Sequence, residues 1–110
     1  MDTTQLLKGV LDLAVLAVLR EADGYGYDIL RRLRTAGLEE VGDASVYGTL
    51  RRLYRGGALT TYLVASPEGP HRKYYALTPG GRTQLEKSRD VWREFAATMD
   101  RLLAAEEAAG

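Results

Sequence analysis

Apolar residues recur along the first forty positions with the spacing of helices rather than strands. Over about residues 4–22 they cover almost the whole circumference of a predicted helix, which leaves no wide polar face for water. Asp23–Gly24 interrupts the pattern, and a second helix is predicted over residues 25–38. Its apolar side is formed by Tyr25, Ile29, Leu30 and Leu33, and its outward side by Arg31, Arg32 and Arg34.

A third helix is predicted to begin at Asp43, whose carboxylate is a typical N-cap, and to end at Gly56–Gly57. Val46, Leu50 and Leu53 follow the i, i+4, i+7 spacing and are predicted to face the core. The opposite face contains small or hydrogen-bonding residues and one cation: Ser45, Gly48, Thr49 and Arg52. Such a face suits close approach to base edges in a DNA groove, although an ordinary solvated helix face has a similar composition.

A β-hairpin is predicted to follow this helix. Residues 59–65 are rich in β-forming side chains, residues 67–70 have turn composition, and residues 72–77 form the returning strand. Adjacent strand residues point to opposite sides, so one of Tyr74 and Tyr75 must face the domain. Core packing and base stacking are the two interpretations of these tyrosines.

The formal charge of the 110-residue chain is zero, but the charges are unevenly distributed. Residues 43–75 carry five Lys and Arg against two Asp and Glu, and both flanking segments are slightly acidic. A neutral protein with one positive surface can bind DNA, although a sample this small also permits a chance distribution. Arg72 and Lys73 lie beside the hairpin turn, where they can reach phosphates or a minor groove.

The composition argues against several other classes of protein. The chain has no cysteine, which excludes disulfides and thiolate zinc sites and fits a reducing, cytoplasmic location. His71 is the single histidine and has no nearby set of ligands, so we expect no metal and no other cofactor. We expect no enzyme, because no nucleophile–base pair or phosphate-binding glycine loop is present. The longest apolar run, residues 10–19, is too short to cross a bilayer, so no membrane contact is expected.

The last helix is predicted to begin at Thr78–Pro79 and to run to about Glu107. It carries an apolar seam of heptad-like spacing that extends beyond a compact domain and needs a partner. The first helix is apolar around almost its whole circumference and must be buried on two sides, so we expect a homodimer through the first and last helices. Packing of the seam on the chain's own first helix is compatible with this dimer. The predicted interface residues are Leu6, Val10, Leu13, Leu85, Trp92, Phe95, Met99 and Leu102.

Together these elements predict a mainly α-helical fold with a β-hairpin wing, a winged helix-turn-helix with an extra C-terminal dimerisation helix. Residues 1–78 are expected to form the DNA-binding domain, with its first helix shared with the dimer interface. Residues 79–110 are expected to form the dimerisation helix. The same fold also permits a protein-interaction module, in which the basic face contacts an acidic protein instead of DNA.

Several segments, taken in order, resemble the PadR-like transcriptional regulators. The match spans almost the whole chain, and a single helix after the wing looks like the small subfamily. The segments are residues 6–13 (LLKGVLDL), 24–29 (GYGYDI), 45–50 (SVYGTL) and 69–81 (GPHRKYYALTPGG), together with Trp92.

This resemblance implies a dimeric bacterial repressor whose recognition helices enter successive major grooves of an inverted repeat, with the wings on flanking minor grooves or backbone. The DNA-binding positions that it implies are Ser45, Tyr47, Gly48, Thr49, Arg51 and Arg52 in the recognition helix and Arg72, Lys73 and Tyr74 in the wing. The family commonly has Tyr-Pro where this chain has Tyr47–Gly48. This departure predicts a more flexible helix start and different groove contacts.

The resemblance also implies an effector site, because some members of the family bind planar aromatic compounds between paired tryptophans at the dimer interface. The matching positions are Leu13, Ala17, Trp92 and Ala96. Two indoles related by a two-fold axis can sandwich a planar ligand by stacking and apolar burial. Ala17 and Ala96 offer no polar group to orient such a ligand, and the alternative is that Trp92 only fills the dimer core.

Overall fold

The computed structural model describes the backbone of residues 3–109 and the side chains of residues 3, 5–7 and 9–105. Within this range the chain forms four α-helices and a three-stranded antiparallel sheet of order β1-β3-β2. This architecture confirms the predicted mainly helical fold with a wing and an additional C-terminal helix. The elements are α1 (Thr4–Glu21), β1 (Gly24–Tyr25), α2 (Gly26–Thr35), α3 (Asp43–Arg55), β2 (Leu59–Ser66), β3 (Gly69–Leu77) and α4 (Pro79–Ala109).

The hydrophobic core lies where α1, α2 and α3 meet the sheet and the first turns of α4. Leu16, Ile29 and Leu50, one from each of the first three helices, are almost completely buried. Burial of each such side chain stabilises the fold by about 1.5–3 kcal/mol. The core therefore fixes the relative positions of the three helices.

Only one side of α1 enters this core. Val15, Leu16 and Leu19 are buried, whereas Leu6 is 71% exposed and Leu13 is half-buried. The side of α1 away from the core faces α4 across a largely apolar groove. No helix in the described range is both long and apolar enough to span a membrane.

Arg32 of α2 does not point outward, so this prediction from the sequence is wrong. Its side chain is half-buried, and its guanidinium donates hydrogen bonds to the carbonyl oxygens of Val18 at 2.6 Å and Ala22 at 3.1 Å. These carbonyls belong to the end of α1, where no further helical N–H groups are available. Arg32 therefore joins α2 to the last turn of α1.

The start of α3 also differs from the prediction. Gly42 occupies the N-cap position, and Asp43 lies in the first turn, where its carboxylate is 3.4 Å from the Arg34 guanidinium. An acidic residue in this turn still favours the helix through the helix dipole. After the helix, Gly57 adopts a φ of 83°, in the left-handed region that favours glycine. The predicted core stripe is buried as expected: Val46, Leu50 and Leu53.

The sheet includes one strand that the sequence pattern does not predict. In β1, Gly24 lies opposite Tyr75 of β3, and Tyr25 lies opposite Tyr74. The predicted hairpin of β2 and β3 is confirmed, and its register places Tyr62 opposite Tyr74. Tyr75 is buried while Tyr74 faces the other side of the sheet, as the alternation of strand residues predicts.

The start of α4 is confirmed, since the Thr78 hydroxyl oxygen accepts a hydrogen bond from the Gly81 N–H at 3.0 Å. Leu85, two turns later, is 4% exposed and belongs to the core of its own chain. Its predicted place in a dimer interface is corrected, because the core of its own chain already covers almost all of the side chain. The 31 residues of α4 span about 46 Å, so its later turns extend beyond the domain.

Candidate nucleic-acid interface

The outward face of α3 is small and basic. With about 3.6 residues per turn, the direction opposite the buried stripe is occupied by Ala44, Gly48, Arg51 and Arg55. Arg51 and Arg55 are exposed one turn apart, and neither forms an ion pair with any side chain that the structure describes. A Cβ built on Gly48 would have no atom within 4 Å. This face lets a polyanion approach the helix backbone closely at Gly48, beside two cations.

Thr49 does not belong to this face, and its predicted contact with a DNA groove is corrected. Its side chain is only 3% exposed. The buried side of α3 is wider than the predicted stripe of Val46, Leu50 and Leu53, and it extends around the helix to include Thr49. Arg55 is the opposite case: it is exposed on this face, but it was not among the predicted DNA contacts. The signal for it is its position four residues after Arg51, which places both on one helix face.

Ser45 and Arg52 lie on the flank of α3 that faces α1. They line a cleft of about 390 Å³ together with residues of α1 and of the loop before α3. The Arg52 guanidinium forms an ion pair with the Asp12 carboxylate of α1. Arg52 is therefore paired with a carboxylate of the same chain, whereas Arg51 and Arg55 have no such partner among the described side chains.

Tyr47 lies on the opposite flank of α3, against the start of α2. It is 41% exposed, and a Cβ built on Gly26 would lie 2.8 Å from Cζ and 2.9 Å from the hydroxyl oxygen of Tyr47. Gly26 therefore allows the ring to pack directly on the α2 backbone. This contact helps to set the angle between the two helices of the helix-turn-helix.

Three tyrosines, one from each strand, form a row on the outer face of the sheet. The ring centroid of Tyr74 is 5.5 Å from that of Tyr25 and 5.7 Å from that of Tyr62. The Arg72 guanidinium lies over the Tyr25 ring at 4.5 Å, a cation–π contact. The Tyr62 hydroxyl donates a hydrogen bond to Asp23 at 2.6 Å, and this bond raises the pKa of the Tyr62 phenol. The row thus orients Arg72 and attaches the wing to the loop before β1.

Lys73 lies on the other face of the wing from Arg72, because the two residues are adjacent in β3. Its ammonium group is exposed and lies 5.7 Å from the centroid of the Tyr75 ring. His71, nearer the turn, is also exposed. The wing therefore presents a cation on each face beside its tip.

A second concavity, a groove of about 810 Å³, lies between α1 and α4. Leu13 and Trp92 line it, as the effector prediction requires, whereas Ala17 and Ala96 lie outside its lining. Ala17 packs against the core instead. Trp92 is 43% exposed, and its ring centroid is 6.2 Å from that of Phe95. The groove has the shape and apolar character to accept a planar ring or side chains of another chain.

Large apolar side chains are exposed along one side of α4. Each of these residues is between 38% and 67% exposed: Val91, Trp92, Phe95, Met99, Leu102 and Leu103. Leu6 of α1, beside the same groove, is 71% exposed. A contiguous apolar surface of this kind is uncommon on a monomer and is typical of an interface. We call these six α4 residues together with Leu6 the apolar face.

Comparison with known proteins gives the same result from sequence and from structure. Residues 15–87 match the family model of PadR-like transcriptional regulators. A PadR-like transcriptional regulator from Bacillus cereus is 35% identical, with a TM-score of 0.81 over 90% of this chain and 96% of the other. A PadR-like transcription factor from Bacteroides fragilis is 32% identical, with a TM-score of 0.75 over 91% and 96%.

A further similar structure is Bacillus subtilis PadR in complex with operator DNA. It is 26% identical, with a TM-score of 0.65, and the match covers 71% of this chain and 45% of the other. The family match covers the helix-turn-helix, the wing and the start of α4. The chain therefore belongs to the PadR-like family of transcriptional regulators.

Proposed function

We propose that the protein is a homodimeric repressor that binds an inverted-repeat DNA operator through α3 and the wing. The observation that carries this proposal is the outward face of α3, where Arg51 and Arg55 follow Gly48 on the same side of the helix and have no ion-pair partners among the described side chains. Cations beside a closely accessible backbone suit a helix that enters a major groove. The operator complex of Bacillus subtilis PadR, a member of the same family, supports this assignment.

The proposed DNA surface follows the exposed residues. It keeps the predicted positions apart from Thr49 and adds Arg55: Ser45, Tyr47, Gly48, Arg51, Arg52, Arg55, Arg72, Lys73 and Tyr74. Arg72 and Lys73 flank the wing tip from opposite faces, so the wing can follow a phosphate backbone or enter a minor groove. Residues 1–78 are the proposed DNA-binding domain and residues 79–110 the proposed dimerisation helix, whose first turns are shared with the core.

A second copy of the chain is the proposed partner of the apolar face. Two copies related by a two-fold axis would present two α3 helices to successive major grooves, about 34 Å or a multiple of this apart. An inverted-repeat operator mirrors that symmetry. Leu6, Val10, Leu13, Trp92, Phe95, Met99 and Leu102 are the proposed contacts.

A planar aromatic effector is proposed for the groove between α1 and α4. The supporting observation is that Leu13 and the partly exposed Trp92 line it together. In a dimer this groove would be closed by the partner, and two Trp92 rings could enclose a ligand. Titration of Trp92 fluorescence with a broad panel of planar aromatic compounds tests the effector: we expect saturable quenching by at least one, and its absence across the panel would remove this part of the proposal.

DNA binding is tested with a duplex selected by the wild-type protein from a randomised pool. Arg51→Ala and Arg55→Ala are each expected to weaken binding by about 1–3 kcal/mol, because each removes a proposed contact in the groove. Electrophoretic mobility shifts and fluorescence anisotropy measure the change. In a reporter strain carrying the selected site, the same substitutions should raise transcription.

Two variants serve as matched controls. Arg93→Ala removes a cation from the side of α4 opposite the apolar face, and Thr49→Val changes a buried residue of α3. Both should leave DNA affinity within about twofold of the wild type, a difference under about 0.5 kcal/mol. If Arg51→Ala and Arg55→Ala behave like these controls, α3 is not the recognition helix.

The other function considered for this fold is a protein-interaction module with an acidic partner. The same selection distinguishes it from a DNA-binding regulator. If the wild-type protein enriches no duplex from the pool and shows no salt-dependent binding, the repressor proposal fails.

A further inference from the structure

The three arginines of α3 have different surroundings. Arg51 and Arg55 project outward without ion-pair partners among the described side chains, whereas Arg52 is paired with Asp12 of α1. The Arg52 side chain is 61% exposed and that of Asp12 is 43% exposed. An exposed ion pair is weak in water and can exchange one partner for another.

Asp12 and Arg52 lie between the two concavities of the molecule. Both line the cleft beside α3 and the groove between α1 and α4. The other charged residue of the cleft is Glu40, and that of the groove is Lys87. Within the described side chains, neither Glu40 nor Lys87 forms an ion pair. Asp12 is thus the carboxylate that holds Arg52, although a second carboxylate borders the same cleft.

We propose that Asp12 is a positioning residue for DNA binding, which holds Arg52 against α1 in competition with a DNA phosphate, so that the Arg52–phosphate contact forms fully only when the carboxylate is removed. This inference rests on the proposed DNA-binding function. Neutralisation of a phosphate by an arginine releases a condensed counterion and strengthens binding. Because Asp12 competes for the guanidinium, it lowers the affinity for DNA.

The test is fluorescence anisotropy of the selected duplex, labelled with fluorescein, over a range of salt concentrations. Asp12→Asn keeps the size of the side chain and removes its charge. We expect binding to strengthen about eightfold at about 0.1 M salt, and the slope of log K against log salt to steepen by about 0.9, as for one additional phosphate contact. Loss of a merely structural contact would not steepen this slope. Asp12→Ser should give the same result.

Glu40→Gln is the matched control, because it removes one negative charge from the same cleft without releasing Arg52. It should leave the salt slope unchanged. Asp12→Glu retains an anion beside Arg52 and should keep the wild-type slope. In an Arg52→Ala background, Asp12→Asn should lose its effect on the slope, because no guanidinium is left to release. Thermal unfolding confirms that each variant is folded.

The outcomes separate this inference from the function on which it rests. Equal salt slopes for Asp12→Asn and Glu40→Gln overturn the inference and leave DNA binding intact. An undiminished effect of Asp12→Asn in the Arg52→Ala background also overturns it. If the wild-type protein selects no duplex, the proposed function fails and the inference with it.

Discussion

Helix α3, the proposed recognition helix, and the later turns of α4 both expose a long helical surface, and the two surfaces have opposite chemistry. The outward face of α3 consists of Ala44, Gly48, Arg51 and Arg55. The exposed face of α4 is formed by large apolar side chains from Val91 to Leu103. Exposure alone therefore does not tell which kind of partner a helical surface binds. The difference shows that one region suits a polyanion, whereas the other suits the apolar surface of a partner.

The helices also differ in how their glycines are placed. Gly81, in the first turn of α4, lies against the turn that follows α3, and a Cβ built on it would overlap the carbonyl oxygen of Ala58. That oxygen accepts a hydrogen bond from the Thr78 N–H at 3.1 Å, so it cannot move without breaking this bond. Gly48 in α3 has open space around it. The same substitution should therefore have opposite effects in the two helices.

The largest expected effect is that of Gly81→Ala. We expect the free energy of unfolding to fall by about 3 kcal/mol, because the new methyl group meets fixed backbone rather than a mobile side chain. Chemical denaturation followed by circular dichroism measures this change. The control is Gly80→Ala, whose Cβ would lie 3.7 Å from the Thr78 hydroxyl oxygen, an ordinary contact. Equal effects of the two substitutions would mean that the first turn of α4 is not held against Ala58.

A smaller effect is expected when a charge is placed on the apolar face. Phe95→Glu should weaken the dimer by about 2 kcal/mol or more, because an interface cannot bury an unpaired carboxylate without cost. The fold of each chain should be unaffected, since Phe95 is 56% exposed within its own chain. Sedimentation equilibrium measures dimerisation, and circular dichroism measures the fold.

Ala97→Glu is the matched control for this charge. Ala97 is exposed on the side of α4 opposite the apolar face, so the same negative charge should not affect dimerisation. If both variants dissociate equally, the two copies do not meet through the apolar face. A wild-type protein that is monomeric at every concentration would contradict the dimer itself.

The smallest expected effect is that of Gly48→Ala. We expect the free energy of unfolding to rise by about 1 kcal/mol, because alanine favours a helix interior more than glycine and the new methyl group meets no neighbour. Gly42→Ala is the control: it also enters open space, but at the N-cap, where glycine is preferred to alanine. Thermal denaturation should show a gain for the first variant and none for the second.

The sequence was most informative where a residue's role depends on its near neighbours. Helix periodicity predicted α1, α3 and α4, and the β-rich segment with its turn predicted the hairpin. The capping role of Thr78 is local and was confirmed. The two-residue strand β1 was missed, because a segment this short has no period of its own and is defined by its pairing with β3.

The errors lie at positions whose environment is formed by distant parts of the chain. Thr49 and Leu85 were assigned to surfaces from helical spacing, and both are buried. Spacing gives the direction of a side chain around its own helix axis, but the neighbouring elements decide how wide the buried sector is. Arg32 illustrates the same limit, since its acceptors lie 10 and 14 residues away on another helix.

Local patterns of apolar, turn-forming and charged residues thus suffice for the helices and the hairpin of this chain, its basic middle third and its family resemblance, because these properties depend on residues a few positions apart. The packing of α1 against α3 brings Asp12 to Arg52, forty residues away, and leaves Arg51 and Arg55 without such a partner among the side chains that the structure describes. Adjacent arginines of one helix differ in this way because their directions diverge by about 100°. The helix that packs beside them decides which arginine forms an ion pair with a carboxylate of the same chain.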